Sequence, residues 1–271
     1  MNCNMNYFSQ IPNQEKTESD WDFLFLKNNA LFMSRNTEIV SRLVDEGIEF
    51  TNEQFAGSLL NGKVKLKCKN RSQKEFSSLI DENQIVLCKG PAGVGKSFVS
   101  IVKALELLKT KGNGFNKIII ITPVVESEEK IGYLKGTLEE KLDPYLFSTY
   151  YLIDKIIGED LRKRLIKADI IKPLAIAYLR GVNIDNSIVI FEEAQNSTKK
   201  AMKTFLTRIG FNTKFIVSGD IEQIDRFRNE EESGLKDALD KLKSVDGVGI
   251  MEFTSKDIVR NPIISKILEK Y

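Results

Sequence analysis

The chain has 271 residues, enough to bury one large core or to hold a core domain with an appendage. Its 40 Lys and Arg stand against 38 Asp and Glu, so the net charge of +2 argues neither for nor against a polyanionic partner. Histidine is absent, which excludes Ser–His triads, imidazole acid–base catalysis and every His-containing metal site, and leaves the chemistry to carboxylates, Lys, Arg and backbone amides.

Residues 1–20 are polar and are expected to be flexible. Residues 21–62 read as a small helical extension, with Ile39, Val40, Leu43 and Val44 on one face of a pattern over 37–46. No apolar stretch nears the roughly 18 residues of a membrane span and no signal-peptide core opens the chain, so a cytoplasmic protein without membrane contact is expected. Lys63-Val64-Lys65-Leu66-Lys67-Cys68-Lys69 alternates strictly, as in an edge strand guarded by lysines; a rim that contacts phosphates fits the same pattern. The three cysteines, Cys3, Cys68 and Cys88, lack zinc-type spacing, and Cys88 reads as a small buried hydrophobe.

The apolar run Ile85-Val86-Leu87-Cys88 leads into Gly90-Pro91-Ala92-Gly93-Val94-Gly95-Lys96-Ser97, which fits G-x-x-x-x-G-K-[ST] and is followed by a helical pattern from Ser97 to Leu108. Strand, glycine-rich loop and helix in that order form a triphosphate cradle, with backbone N–H groups turned inward at the positive end of the helix dipole. Gly90 to Ser97 and the adjoining Phe98 are the candidate nucleotide contacts. Lys96 is expected at the β- and γ-phosphates, and the Ser97 hydroxyl at Mg²⁺.

Further along, Ile118–Ile121, Ile188–Phe191 and Lys214–Val217 are continuous apolar runs, as in strands buried on both faces, and Met251–Phe253 suggests a last short strand. Helical patterns lie between them at Leu152–Ala168, Lys199–Ile209 and Gly234–Leu242; within the first, Arg162-Lys163-Arg164 to Lys167 forms a basic patch. The alternation predicts an α/β domain over 63–271, with a mainly parallel sheet covered by helices on both faces. Glu192 and Glu193 follow the run Ile188–Phe191, where a strand leaves the sheet beside the phosphate crevice. Glu192 is the candidate Mg²⁺ ligand, through water, and Glu193 the candidate general base. Gln223, in Gly219-Asp220-Ile221-Glu222-Gln223, is placed to sense the γ-phosphate or to position water.

These runs, together with Thr122-Pro123-Val124-Val125-Glu126, Ala177-Tyr178-Leu179-Arg180-Gly181, Glu193-Ala194-Gln195-Asn196, Phe205-Leu206-Thr207-Arg208-Ile209-Gly210-Phe211 and Asp257-Ile258-Val259-Arg260-Asn261-Pro262, make residues 70–271 resemble the PhoH family of P-loop ATPases, relatives of superfamily 1 helicases. The resemblance implies a RecA-like core, Mg²⁺-dependent ATP hydrolysis, a link to RNA, and ring-like homo-oligomers, often hexamers. It also implies that Gln73, upstream of the loop, reads adenine; an exposed helix glutamine is the plainer reading. ATP over GTP is favoured by Gln73 and by the lack of a guanine-reading Asn/Thr-Lys-x-Asp run. The chain departs from the family pattern at Glu192, where Asp is usual, at Thr122, where Arg is usual, and at Arg226–Glu232, which replaces a Pro-containing segment.

Only one such core fits in 271 residues, so a complete site calls for an arginine from a second copy in a head-to-tail contact. Arg260 ranks first, with Arg208 and Arg180 as alternatives. Three functions compete: an ATPase that binds or remodels RNA or single-stranded nucleic acid, an ATP-gated assembly factor with slow hydrolysis, and, less well supported, a small-molecule kinase.

Overall fold

The computed structural model describes residues 56–57, 60, 64–110, 112–123, 138–179, 181–225 and 232–259. In chain order the elements are α1 (Arg71–Glu82), β1 (Ile85–Lys89), α2 (Lys96–Lys109), β2 (Lys117–Thr122), α3 (Leu138–Ile157), α4 (Glu159–Lys167), β3 (Ile171–Ala175), β4 (Ser187–Phe191), α5 (Lys199–Leu206), β5 (Lys214–Gly219), α6 (Gly234–Lys241) and β6 (Val248–Glu252), with short 3₁₀ turns at Ile176–Leu179, Ala194–Asn196 and Ser255–Asp257. The six strands form one sheet in the order β3-β2-β4-β5-β1-β6, and every pairing is parallel.

Period-two alternation explains why the strand runs are apolar throughout: neighbouring residues feed opposite faces, and helices cover both. Val86, Cys88, Ile118, Ile120, Ile188, Ile190 and Ile216 join one core with Val99, Leu105 and Ile153. Leu87, Ile119, Ile121, Val189, Phe191, Phe215 and Val217 join the other, with Met202, Phe205 and Leu235. There Phe205 stacks on Phe215 at 4.5 Å and meets Phe191 edge-on at 5.0 Å. Because β4, β5 and β1 are adjacent and parallel, the turns that follow them emerge side by side at one edge.

The structure corrects several element boundaries. The pattern over Leu152–Ala168 is two helices, since Gly158 interrupts it at φ 89° and ψ 151°, a conformation essentially reserved for glycine. The lysine-rich segment has no strand partner in the sheet; Val64 is buried and Lys65, Lys67 and Lys69 are exposed, so the alternation sets side-chain direction in an extended segment under α2. The Leu66 N–H there donates to Glu106 at 2.7 Å, and Lys109 to the Val64 carbonyl. The last strand runs Val248–Glu252, and α5 ends at Leu206, three residues short of the apolar pattern.

One strand was not expected, and the helix implied by the plainer reading of Gln73 has no bounds in the sequence. β3 carries Pro173, which argues against a strand in a sheet interior but is tolerated here because β3 lies at the sheet edge. α1 is capped at its start by the Asn70 side chain, which accepts from the Gln73 N–H at 2.8 Å. At its end the Lys214 ammonium donates to the carbonyls of Ile80, Asp81 and Asn83. Among the described residues no helix is long and apolar enough to cross a membrane. The polar segment 1–20, the pattern over 37–46 and nearly all of 21–62 lie outside the described residues.

Candidate nucleotide site

The loop between β1 and α2 is shaped by its glycines and anchored by Val94, which is fully buried. Gly95 caps α2 at φ 93°, ψ 21°, and a β-carbon there would lie 2.6 Å from the Gln73 amide nitrogen, so the position requires glycine twice over. α2 then opens with Lys96 and Ser97, its first N–H groups facing the crevice. Lys96 folds its ammonium onto the carbonyls of Gly90 and Pro91. Burial lowers its pKa, and the nearby Cys88, Asp220, Glu193 and Glu192 act in the opposite direction. Phe98 follows on the first turn of α2 with its ring 36% exposed.

Glu192 closes the crevice from the end of β4. It is 9% exposed, and its Oε2 accepts from the Thr149 hydroxyl of α3 at 2.6 Å. Its Oε1 is buried without a partner. Burial raises the Glu192 pKa, and the nearby Ser97 and Thr149 hydroxyls only partly offset that rise. A buried carboxylate oxygen left unpaired beside the phosphate-loop serine is what a divalent cation would complete, so the residues fit Mg²⁺. Among the described residues no group of three or more Cys, Asp or Glu is arranged to hold a metal ion, so the remaining ligands of such an ion would be phosphate oxygens and water.

Glu193, next in the chain, adopts a left-handed conformation (φ 52°, ψ 32°) that turns its side chain out of the core into the open crevice. Gln195 holds it there. Its Nε2 donates to Glu193 Oε2 at 2.8 Å and to the Gln223 carbonyl at 3.1 Å, and its Oε1 accepts from the Asp220 N–H at 3.1 Å. Gln195 is 1% exposed and so ties the turns after β4 and β5 together. The Gln223 side chain is exposed, and its N–H donates to the Asp220 carbonyl at 3.0 Å.

The structure thus brings Lys96, Ser97, Glu192 and Glu193 to one edge, with the Gln223 turn tied to them. Gln73 sits behind the loop, 2% exposed; its Nε2 donates to the Val94 carbonyl at 2.8 Å and its Oε1 accepts from the Lys69 N–H at 2.8 Å. Arg208 lies at the opposite edge, past the end of α5 and before β5, where its carbonyl accepts from the Ile184 N–H. The sheet between spans roughly 20 Å, so Arg208 is out of reach of its own phosphate loop. Arg180 and Arg260 lie outside the described residues.

Two site residues escaped the sequence reading. Gln195 stands in a recognised run, but its role depends on β4 and β5 being neighbours. Thr149 gave no signal, since the helical pattern before Leu152 was not apparent.

The chain is similar in sequence to known proteins over the stretch that carries this site. A PhoH-like protein from Bacillus subtilis (strain 168) is 42% identical over 213 residues, covering 78% of this chain and 66% of the relative. One from Mycobacterium tuberculosis (strain ATCC 25618 / H37Rv) is 39% identical over 233 residues, covering 86% and 65%. Protein PhoH of Escherichia coli (strain K12) is 36% identical over 205 residues, covering 75% and 57%. The chain therefore spans between 57% and 66% of the length of these relatives. The family model described as PhoH-like protein matches residues 65–271, the same stretch that carries the sheet, the phosphate loop and the acidic pair, and the chain belongs to the PhoH-like protein family, a family of P-loop ATPases.

Proposed function

We propose that the chain is a Mg²⁺-dependent ATPase that acts on RNA or another single-stranded nucleic acid, in the cytoplasm, as a ring of identical copies. The observation that carries the ATPase reading is the buried Glu192 carboxyl, near the Ser97 hydroxyl and with one oxygen unpaired, beside the loop that presents Lys96. Ser97 and Glu192 would hold Mg²⁺, which supplies charge neutralisation at the β- and γ-phosphates. Lys96 leaves the loop carbonyls to pair with those phosphates. Glu193, exposed in the crevice and steadied by Gln195, accepts the proton of the water that attacks the γ-phosphorus; the leaving group is ADP. Gln223, on the turn that Gln195 ties to Glu193, orients that water.

The nucleic-acid part of the proposal rests on family likeness. The ring also rests on family likeness, and Arg208, about 20 Å from its own loop, is the donor proposed to serve a neighbouring copy. Arg260 and Arg180 remain the other proposed donors. A second reading, an ATP-gated assembly factor with slow hydrolysis, is favoured by the longer Glu192 side chain at the metal position.

ATP hydrolysis measured with and without single-stranded RNA over a salt series separates the two. A nucleic-acid-dependent ATPase is stimulated, and the stimulation fades as salt rises. ATP-dependent association without stimulation selects the assembly factor. Glu193→Gln should lower turnover by about 10²- to 10⁴-fold while ATP binding persists; unchanged turnover would remove Glu193 from the mechanism.

A further inference from the structure

The phosphate loop is gripped from behind at two consecutive carbonyls. Gln73 Nε2 donates to the Val94 carbonyl at 2.8 Å, and the Val259 N–H donates to the Gly93 carbonyl at 3.0 Å. A trans peptide is planar, with its C=O and the following N–H pointing in opposite directions. Drawing the Val94 carbonyl back therefore turns the Gly95 N–H forward into the crevice, and drawing the Gly93 carbonyl back does the same for the Val94 N–H.

Each grip is itself held. The Gln73 amide meets one donor and one acceptor, Lys69 N–H and Val94 C=O, which fixes its orientation. The segment carrying Val259 is tethered through Asp257. Its carboxylate accepts from Ser72 Oγ at 2.5 Å, from Thr254 N–H at 2.8 Å and from Thr254 Oγ1 at 3.1 Å, and its carbonyl accepts from Asn70 Nδ2 at 3.0 Å. Both grips thus lead back to the first turn of α1, where Asn70, Ser72 and Gln73 sit within four residues.

We propose that Gln73 and Asp257 are positioning residues for triphosphate, which aim the Gly95 and Val94 N–H groups at the phosphates and act without regard to the base. The proposal rests on the reading of this loop as a triphosphate site. It also assigns Gln73 a different task from adenine recognition, for which its amide has no exposed face.

Calorimetric binding of ATP, GTP and inorganic tripolyphosphate, each with Mg²⁺, tests this on the full chain. Gln73→Ala is expected to weaken all three alike, by about tenfold. Gln73→Glu keeps the size and the Lys69 contact but lacks the donor to Val94, so it should bind no better than the alanine variant. Asp257→Ala should also weaken all three; should it unfold in a melting scan, Ser72→Ala removes a single tether and shows a smaller uniform loss. Amide NMR gives a residue-level signature: on adding tripolyphosphate, the Gly95 response is lost in Gln73→Ala and the Val94 response in Asp257→Ala.

A Gln73→Ala variant that loses ATP affinity but keeps GTP and tripolyphosphate would establish base reading and overturn the proposal. Recovery of affinity in Gln73→Glu, or unchanged binding in both alanine variants, would overturn it as well. Wild-type chain that binds none of the three ligands would instead sink the reading of the loop on which the proposal stands.

Discussion

Glu192 is an acid set among restraints. Its pKa is raised by burial, and the Thr149 hydroxyl is one of the two hydroxyls that bring it back down. Thr149→Val removes that bond, so the acid limb of Mg²⁺-dependent turnover should move to higher pH, because more of the carboxyl is then protonated at a given pH. The half-saturating Mg²⁺ concentration should rise by about tenfold, the usual effect of losing a residue that supports a ligand; Mg²⁺ titrations of ATPase rate at several pH values measure both. Gln195 supports Glu193 in the same manner, through its Nε2. Gln195→Ala should cost about a hundredfold in turnover through misplacement of the carboxylate, with the melting temperature and ATP affinity read alongside. The phosphate loop and the acidic pair were legible in the sequence because their chemistry is local. Gln195 and Thr149 were not, because each acts on a residue brought near only by the sheet order.

At the level of elements, strands were the most legible feature: β1, β2, β4 and β5 each appear as unbroken apolar runs because helices cover both faces of the sheet. Pro173 disguised β3, and the polar outer face of α1 hid a helix whose Phe76 and Ile80 are its buried stripe. Its far end depends on Lys214, whose ammonium meets three carbonyls that the helix leaves unpaired. Lys214→Met should cost about 2 kcal/mol in a denaturant titration. Burial also lowers the Lys214 pKa. Between that lowered value and the ordinary lysine range the unfolded chain binds the extra proton, so this residue makes stability rise with pH there; Lys214→Met should flatten that slope.

On the scale of the whole molecule, the sheet separates two edges. One carries the phosphate loop, Glu192 and Glu193; the other carries Arg208 and Phe211, whose ring is 88% exposed. The Phe211 backbone is fixed by Asp185, which accepts its N–H at 2.7 Å, and by Asn186, which donates to its carbonyl at 2.8 Å. If Arg208 completes a neighbour's site, Lys96→Ala and Arg208→Ala chains should each be inactive alone and regain ATPase activity when mixed, since a mixed ring contains some sites with both residues intact. Light scattering on the same samples reports whether the ring persists; full activity from a monomer would refute the shared site. The sequence alone led only to the expectation of a second copy; the separation of Arg208 from the loop emerged with the parallel sheet.

The strand that leads into the phosphate loop is made long before its partners: Ile85 aligns with Phe215 on one side and Val248 on the other. A chain still emerging from the ribosome therefore leaves β1 without either partner strand until Lys214 and the residues after it are made, and such distant pairings close slowly. Nascent chains halted before residue 214 should neither retain a fluorescent ATP analogue nor resist protease, and both properties should appear together once synthesis passes Glu252 and clears the exit tunnel.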